Sequence, residues 1–399
     1  MKIILALFLL VTPLIASDEA LRINNPAQPD NGVEILELQE KWRDGGEDGE
    51  TLFGIVTKVL MDDSGNTYLL DTQLSEVQVF DSNGEFVHTL SREGEGPGEV
   101  RTPIDMLFMP DNGLGLVQSF PGKIIQIDLE GSPLRSFTPG GDDPTVGGFT
   151  ALTDAHFSGD NLVLGGTKIT NGEGSQTRTF FVASYALDGE ELCSYEDVPN
   201  VYEFTNIEII EADQYSSIFR HFAVGPDGKV YTAPKRNEYE IHVFNVDGTL
   251  DHIITRDFES WTRTADEAEV VNKLMDIQAQ RIPMEVKTEV CLTEPDIASL
   301  FIDEDGFLWV LTSRAIREVT EGIMQTYDIF NSDGKFIKQV AVKCPGDGLK
   351  DGLIRGNADN WILVRGFTDA LLSLQSQGTM AEEDEEPEPM EVIGYEVVR

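Results

Sequence analysis

One hairpin signature recurs down the whole chain. Its clearest copy runs Lys58-Val59-Leu60-Met61-Asp62-Asp63-Ser64-Gly65-Asn66-Thr67-Tyr68-Leu69-Leu70 and continues Val77-Gln78-Val79-Phe80-Asp81-Ser82-Asn83-Gly84-Glu85-Phe86-Val87. Two apolar strands flank a tight turn of Asp, Asn and Gly, a loop follows, and a second such pair completes the unit. Asp-Gly and Asn-Gly turns suit hairpins because Gly tolerates positive φ and Asp or Asn bonds back to its own backbone. The second copy turns at Asp111-Asn112-Gly113 and Glu130-Gly131, and the third at Ser158-Gly159-Asp160-Asn161 and Asp188-Gly189. The fourth turns at Pro226-Asp227-Gly228 and Asp247-Gly248, and the fifth at Asp305-Gly306 and Asp333-Gly334. A weaker sixth spans residues 353–364 and turns at Asp359-Asn360. The turn aspartates therefore need no functional explanation, and no full EF-hand loop is present.

Six four-stranded antiparallel units predict an all-β, six-bladed β-propeller. The ends of the chain support closure. The sixth unit has two strands, a long acidic segment and a third strand, residues 392–398, but lacks a fourth. An unused alternating strand stands near the N-terminus, at residues 33–38. It is expected to complete the last blade and leave no long sheet edge open. Residues 43–50, Arg43-Asp44-Gly45-Gly46-Glu47-Asp48-Gly49-Glu50, would then be a connector like the one after the first unit. These repeats, with Gly94-Glu95-Gly96-Pro97-Gly98-Glu99 between the first two, resemble exported bacterial six-bladed propellers of the NHL-repeat and TolB-like superfamily. The resemblance covers about residues 33–399. It implies the fold and leaves function open, since such proteins include binding modules, lactonases and lyases.

The chain opens Met1-Lys2, follows with an apolar run to Val11, and reaches small residues at Ala16-Ser17. This reads as a cleavable secretory signal over residues 1–17, with one propeller domain over residues 18–399. The expected location is periplasmic or extracellular. No later segment is apolar enough to be transmembrane. The formal net charge of −42, from 71 acidic and 29 basic residues, argues against nucleic acid and anionic lipid as partners. The acidic run Glu382-Glu383-Asp384-Glu385-Glu386-Pro387-Glu388-Pro389, in a loop at about residues 376–390, reads as a disordered connection. Cys193, Cys291 and Cys344 allow either a Cys291–Cys344 bridge with one thiol left over or three buried free thiols. A monomer is expected.

In an antiparallel meander the loops joining strands two and three share one face with those joining successive blades. That face carries every long segment: residues 138–152, 171–178, 198–217, 258–295, 314–325 and 366–390. Long loops on a rigid scaffold commonly hold function. The insertion between blades four and five contains a helix, started by a capping box at Thr264 and Glu267 and ending before Pro283. It is expected to cover the mouth of the central channel. Just beyond second strands stand Lys168, Lys235, Arg236, Arg314 and Arg365, a concentration of cations in a chain short of them. They are candidates for binding an anionic group such as a carboxylate, sulfate or sugar acid; the alternative is pairing with nearby acidic loops.

Of five histidines, His156 and His221 fall on or near innermost strands and could face the channel. With a carboxylate they could hold a divalent metal, zinc or calcium; the alternative is ordinary packed histidines. The superfamily resemblance adds that lyase-type propellers use channel histidines on zinc, while lactonase-type ones use Glu, Asn and Asp around a divalent ion. No third ligand is identifiable from the sequence. No GxSxG elbow, Walker loop, HExxH or dinucleotide fingerprint occurs. The expected function is a propeller scaffold binding a protein partner or a small ligand, with anions among the candidates, on its long-loop face, without a catalytic motif to name; the alternative is a metal-dependent hydrolase or lyase at the channel.

Overall fold

The computed structural model describes residues 20–47, 49–140, 148–217, 221–376 and 389–398. The leader at residues 1–17 lies outside them, as does the acidic run except for Pro389.

The repeats form six blades in a ring. Blade one is the antiparallel meander Val56–Met61, Thr67–Asp71, Glu76–Phe80 and Phe86–Leu90. Blades two to five repeat this pattern over residues 103–137, 149–203, 222–256 and 297–343. Their first strands are Pro103–Met109, Phe149–Ser158, Phe222–Val224 and Ile297–Ile302. Blade six begins with Gly352–Arg355, Asn360–Arg365 and Glu391–Val397. First strands of blades one to five touch in succession, and that of blade six touches that of blade one. First strands therefore line the centre.

The turn chemistry works as the sequence implies. The Asp62 carboxylate accepts from the Ser64 and Asn66 amides, and Asp81, Asp128 and Asp303 repeat the arrangement. Apolar residues on both faces of each blade build the core. Six buried clusters result, one between each pair of neighbouring blades; Tyr68, Leu70, Met106 and Leu116 join blades one and two, and Val56, Leu69, Ile362 and Val392 join one and six.

The N-terminal strand does close the ring, with a different register from the expected one. In the strand Val33–Gly45, the residues that pair with blade six are Leu38 to Gly45, antiparallel to Glu391–Val397. Residues 33–37 instead run parallel to the outer strand of blade five, Phe336–Lys343. The alternation at residues 33–38 is genuine strand, but Val33 and Ile35 are exposed on an outer edge, whereas Trp42 supplies the apolar anchor. An earlier strand, Leu21–Asn25, adds a parallel fifth strand to blade four. Buried Asn25 ties it down by donating to the Thr255 and Gly334 carbonyls and accepting from the Phe336 amide.

The long-loop face holds more structure than loops. Residues 171–178 and the start of 198–217 belong to extended strands of blade three, Asn161–Asn171, Ser175–Tyr185 and Glu191–Glu203. The expected helix α1 is Ala265–Gln280, with both bonds of the Thr264–Glu267 capping box formed. Two further helices accompany it, α2 (Ser313–Arg317) in blade five and α3 (Phe367–Ser376) in blade six. Ile207–Ile210 pairs in parallel with Val286–Glu289, joining the connections on either side of blade four. No cysteine is bridged; Cys344 is buried and Cys193 and Cys291 are half-buried, so only one of the three thiols is sequestered in the core.

Candidate functional site

A shared irregularity of the inner strands builds a charged cluster at the centre of the ring. In blades one, two, three and five the pairing of first and second strands slips by one residue near the start of the first strand. Such a bulge re-aims the side chain that follows. The residues after the four slips are Lys58, Asp105, Asp154 and Ser299. Three of them meet: Lys58 Nζ lies 2.7 Å from Asp105 Oδ1 and 3.9 Å from Asp154 Oδ1. The Ala155 amide donates to both carboxylates, at 2.9 Å to Asp105 Oδ2 and 2.9 Å to Asp154 Oδ1. Asp105 also accepts from the Met106 amide. Two residues along the same strand, His156 places Nε2 3.3 Å from Asp154 Oδ1 without hydrogen-bond alignment, and its ring meets Phe222 of blade four edge-on.

The two carboxylates are almost fully buried, while the Lys58 and His156 side chains keep 24% and 30% of their surface exposed. Burial pushes the Asp105 carboxyl up; Lys58 opposes this and the neighbouring Asp154 adds to it. Burial also resists ionisation of Asp154, but His156 and Lys58 outweigh it and hold that carboxyl well below its usual range. The pair thus holds one carboxyl that favours its ionised form and one whose proton affinity is raised, flanked by an ammonium and an imidazole.

His156 is where the sequence placed it. His221 is not its partner. It stands before the first strand of blade four, buried and stacked on Tyr215 at 4.2 Å, and burial lowers it to about 4. Among the described residues no group of three or more His, Cys, Asp or Glu has metal-holding geometry. Around His156 a divalent metal does not fit the cluster as it stands, because the Lys58 ammonium occupies the position between the two carboxylates.

The basic candidates are all engaged with acids. Lys168, within its extended strand rather than beyond it, pairs with Glu191 at 2.8 Å. Lys235 lies 3.2 Å from Glu238, and Arg365 bonds Glu391 at 2.9 Å. Arg314 bonds Glu318 at 2.6 Å and the Glu259 carbonyl, with its guanidinium over Trp261. Arg236 is buried and bonds Glu211 at 2.8 Å. Arg236 and Arg314 approach the buried Asp296 carboxyl, whose proton affinity burial raises and they reduce; the other three stand apart from this pair.

Arg236 belongs to a larger network absent from the sequence reading. Arg263 makes bonds to Glu211 and Glu294, and Arg317 bonds Glu267 and approaches Glu294 at 3.2 Å. Glu267 also accepts from Trp261 and from the Thr264 amide. Burial resists ionisation of Glu267, but Arg317 and these donors win and hold it at about 2. The network fastens α1 to blade five, while Gln278 of α1 accepts from Gln214 and the helix packs near α3 of blade six. Helix α1 therefore reaches across the long-loop face as a fixed element.

Lys58, Asp105 and Asp154 were missed by sequence reasoning. The available signal was a charged residue near the start of an otherwise apolar inner strand in three successive repeats.

A family model described as a 6-bladed β-propeller matches residues 48–291. Comparison with curated proteins gave no match. Among solved structures, a protein assigned as exported from Bacteroides fragilis is similar at 13% identity and TM-score 0.50, covering 95% of this chain and 100% of that one. Regucalcin, a calcium-binding protein from Agrobacterium tumefaciens, aligns at 13% identity and TM-score 0.42, covering 91% and 96%. Virginiamycin B lyase from Staphylococcus aureus aligns at 11% identity and TM-score 0.41, covering 82% and 81%. These likenesses concern the fold alone.

Proposed function

The chain belongs to the DUF5128 family of six-bladed β-propellers, and we propose that it is an exported scaffold binding a small polar ligand at the long-loop end of its central channel. The observation that carries this reading is the convergence of Lys58, Asp105, Asp154 and His156 from three blades, with two buried carboxylates and two partly exposed, channel-lining groups. Buried charges held together at that expense of desolvation, yet left open to a channel, are a recurrent mark of a functional site. Export rests on the leader-like residues 1–17; no helix among the described residues is long and apolar enough to cross a membrane.

The function expected from the sequence, with an anion or partner bound by Lys168, Lys235, Arg236, Arg314 and Arg365, requires breaking existing ion pairs. One experiment separates the two. A panel of amino acids, sugar acids and polyols is scanned for thermal stabilisation of the wild type, Asp154→Asn and Lys168→Ala together with Arg365→Ala. Stabilisation lost only in Asp154→Asn supports the channel. Stabilisation lost only in the double basic variant sinks it.

A second reading is acid–base catalysis of the hydrolase or lyase kind, with Asp105, whose proton affinity burial raises, exchanging the proton and Asp154 remaining the anion that faces Lys58. A pH–rate profile on an ester panel whose inflection is lost in Asp105→Asn is its test.

A further inference from the structure

We infer that the channel site takes a ligand bearing a primary ammonium group, which displaces the Lys58 ammonium from between Asp105 and Asp154. This rests on the channel-mouth reading above.

The argument begins with the three acceptors. Asp105 Oδ1, Asp154 Oδ1 and His156 Nε2 come from two adjacent blades, and the imidazole nitrogen is a buried atom with no hydrogen-bond partner among the described residues. An ammonium carries three N–H donors and no acceptor. Lys58, tethered in blade one, lies within hydrogen-bond distance of Asp105, but at 3.9 Å it stops short of Asp154. An untethered ammonium is free to settle among all three. With its proton on Nδ1, His156 offers the Nε2 lone pair to the third donor, the incoming ammonium then supplying the pull on Asp154 that the imidazole otherwise exerts, and Phe222 holds the ring edge-on in place.

Mobility points the same way. The carboxylates are pinned by the Ala155 and Met106 amides. Lys58 is the long, flexible and partly exposed member. Replacing one ammonium by another leaves the charge of the buried cluster unchanged, so the exchange avoids stranding either carboxylate. The chain's net charge of −42 concentrates small cations around it.

The same chemistry separates an ammonium from its competitors. Calcium requires about six to eight oxygen ligands, which two carboxylates and an imidazole do not supply. A guanidinium is a planar fork suited to one carboxylate edge-on, whereas these acceptors are spread over two blades.

The test is calorimetric titration with 1,5-diaminopentane at neutral pH, with 1,5-pentanediol as the neutral isostere. Proteins compared are the wild type, Lys58→Met, Lys58→Gln, and Lys58→Met combined with Asp154→Asn. Removing the internal competitor is expected to tighten diamine binding by at least about tenfold in both Lys58 variants. Asp154→Asn then removes the gain, and the diol does not bind. Two Lys58 variants guard against one that folds poorly, and far-UV circular dichroism checks each. Equal or weaker diamine binding in both folded Lys58 variants overturns the inference, as does calcium displacing the diamine from them. If polar ligands from the panel still bind the wild type through Asp154, the channel-mouth function stands while the ammonium inference falls.

Discussion

Ring closure depends on one aromatic residue packed into space left by a glycine, and that dependence is measurable. Trp42, on the closing strand, sits directly opposite Gly394 on the last strand of blade six. Its indole stacks on Phe80 of blade one, with centroids 5.6 Å apart and planes 9° from parallel. A methyl group at position 394 would lie 2.3 Å from both Cε2 and Nε1 of that indole, where ordinary contact begins near 3.4 Å. The ring would have to retreat by about 1 Å and leave its stack on Phe80. Overpacking of this kind costs about 1–3 kcal/mol, so Gly394→Ala is expected to destabilise the protein by about 2 kcal/mol. Trp42→Ala, which removes a half-buried indole, is expected to cost about 2–3 kcal/mol, below the range for a fully buried aromatic.

The pair must behave non-additively. With Trp42 already replaced, the methyl at 394 meets no indole, and alanine is a better strand residue than glycine by about 0.5–1 kcal/mol. Gly394→Ala therefore changes sign and becomes mildly stabilising in the Trp42→Ala background. Urea unfolding followed by far-UV circular dichroism, with unchanged slopes, gives the four stabilities of the cycle. An equal loss from Gly394→Ala in both backgrounds would refute the account of closure.

Other perturbations follow from the same geometry. His221 is neutral when folded, at about 4 because of burial, against an ordinary value near 6.5. Its contribution is fully present above pH 6.5 and is lost as pH falls from there to about 4, a decline of about 3 kcal/mol at 1.36 kcal/mol per pKa unit; His221→Phe should flatten the stability–pH curve in that window. Thr264→Ala removes the cap of α1 and should cost about 1 kcal/mol, seen as faster amide exchange in the helix. Glu267→Gln should exceed it, because Arg317 and Trp261 lose their charged acceptor too. Asn25→Ala leaves the Phe336 amide without its acceptor and should cost about 1–3 kcal/mol, with proteolysis near residue 25 as the readout.

The blades were legible because their information is local. An aspartate three residues before a glycine binds its own turn whatever surrounds it, as Asp62 does. The closing strand was legible in kind and not in register. Val33, Ile35 and Leu36 advertise a half-buried strand, yet Val33 and Ile35 point outward. The true partner segment, Leu38-Gln39-Glu40-Lys41-Trp42-Arg43-Asp44-Gly45, reads as a polar connector because an outermost strand is held by few apolar side chains, here Leu38 and Trp42. The basic candidates misled through composition. Cations looked scarce and clustered, but whether Arg236 meets a ligand or Glu211 is decided by residues 25 apart folding together. The channel cluster hid for a related reason: in sequence, Asp105 and Asp154 are single polar residues in apolar strands, and the bulges that aim them together depend on pairing with the second strand.

Scarcity of positive charge sharpens the functional reading when the partners are compared. Arg263 and Arg236 keep 4% and 7% of their side-chain surface, and each is matched by carboxylates that fix α1 and the insertions. Such pairs are saturated: their donors point at fixed oxygens and removing either member strands a buried charge, so they resist exchange with anything from solution. Exposed pairs such as Lys168–Glu191 are open to exchange but are held in high dielectric, where a pair contributes at most about 1 kcal/mol and discriminates poorly. The channel cluster lies between these limits. Its anions are as desolvated as those of the insertion network, so a ligand that satisfies them is selected strongly, while its cation remains within reach of solvent and is replaceable. Of the three kinds of pair compared, strong selection and exchangeability coincide where Lys58 meets Asp105 and Asp154.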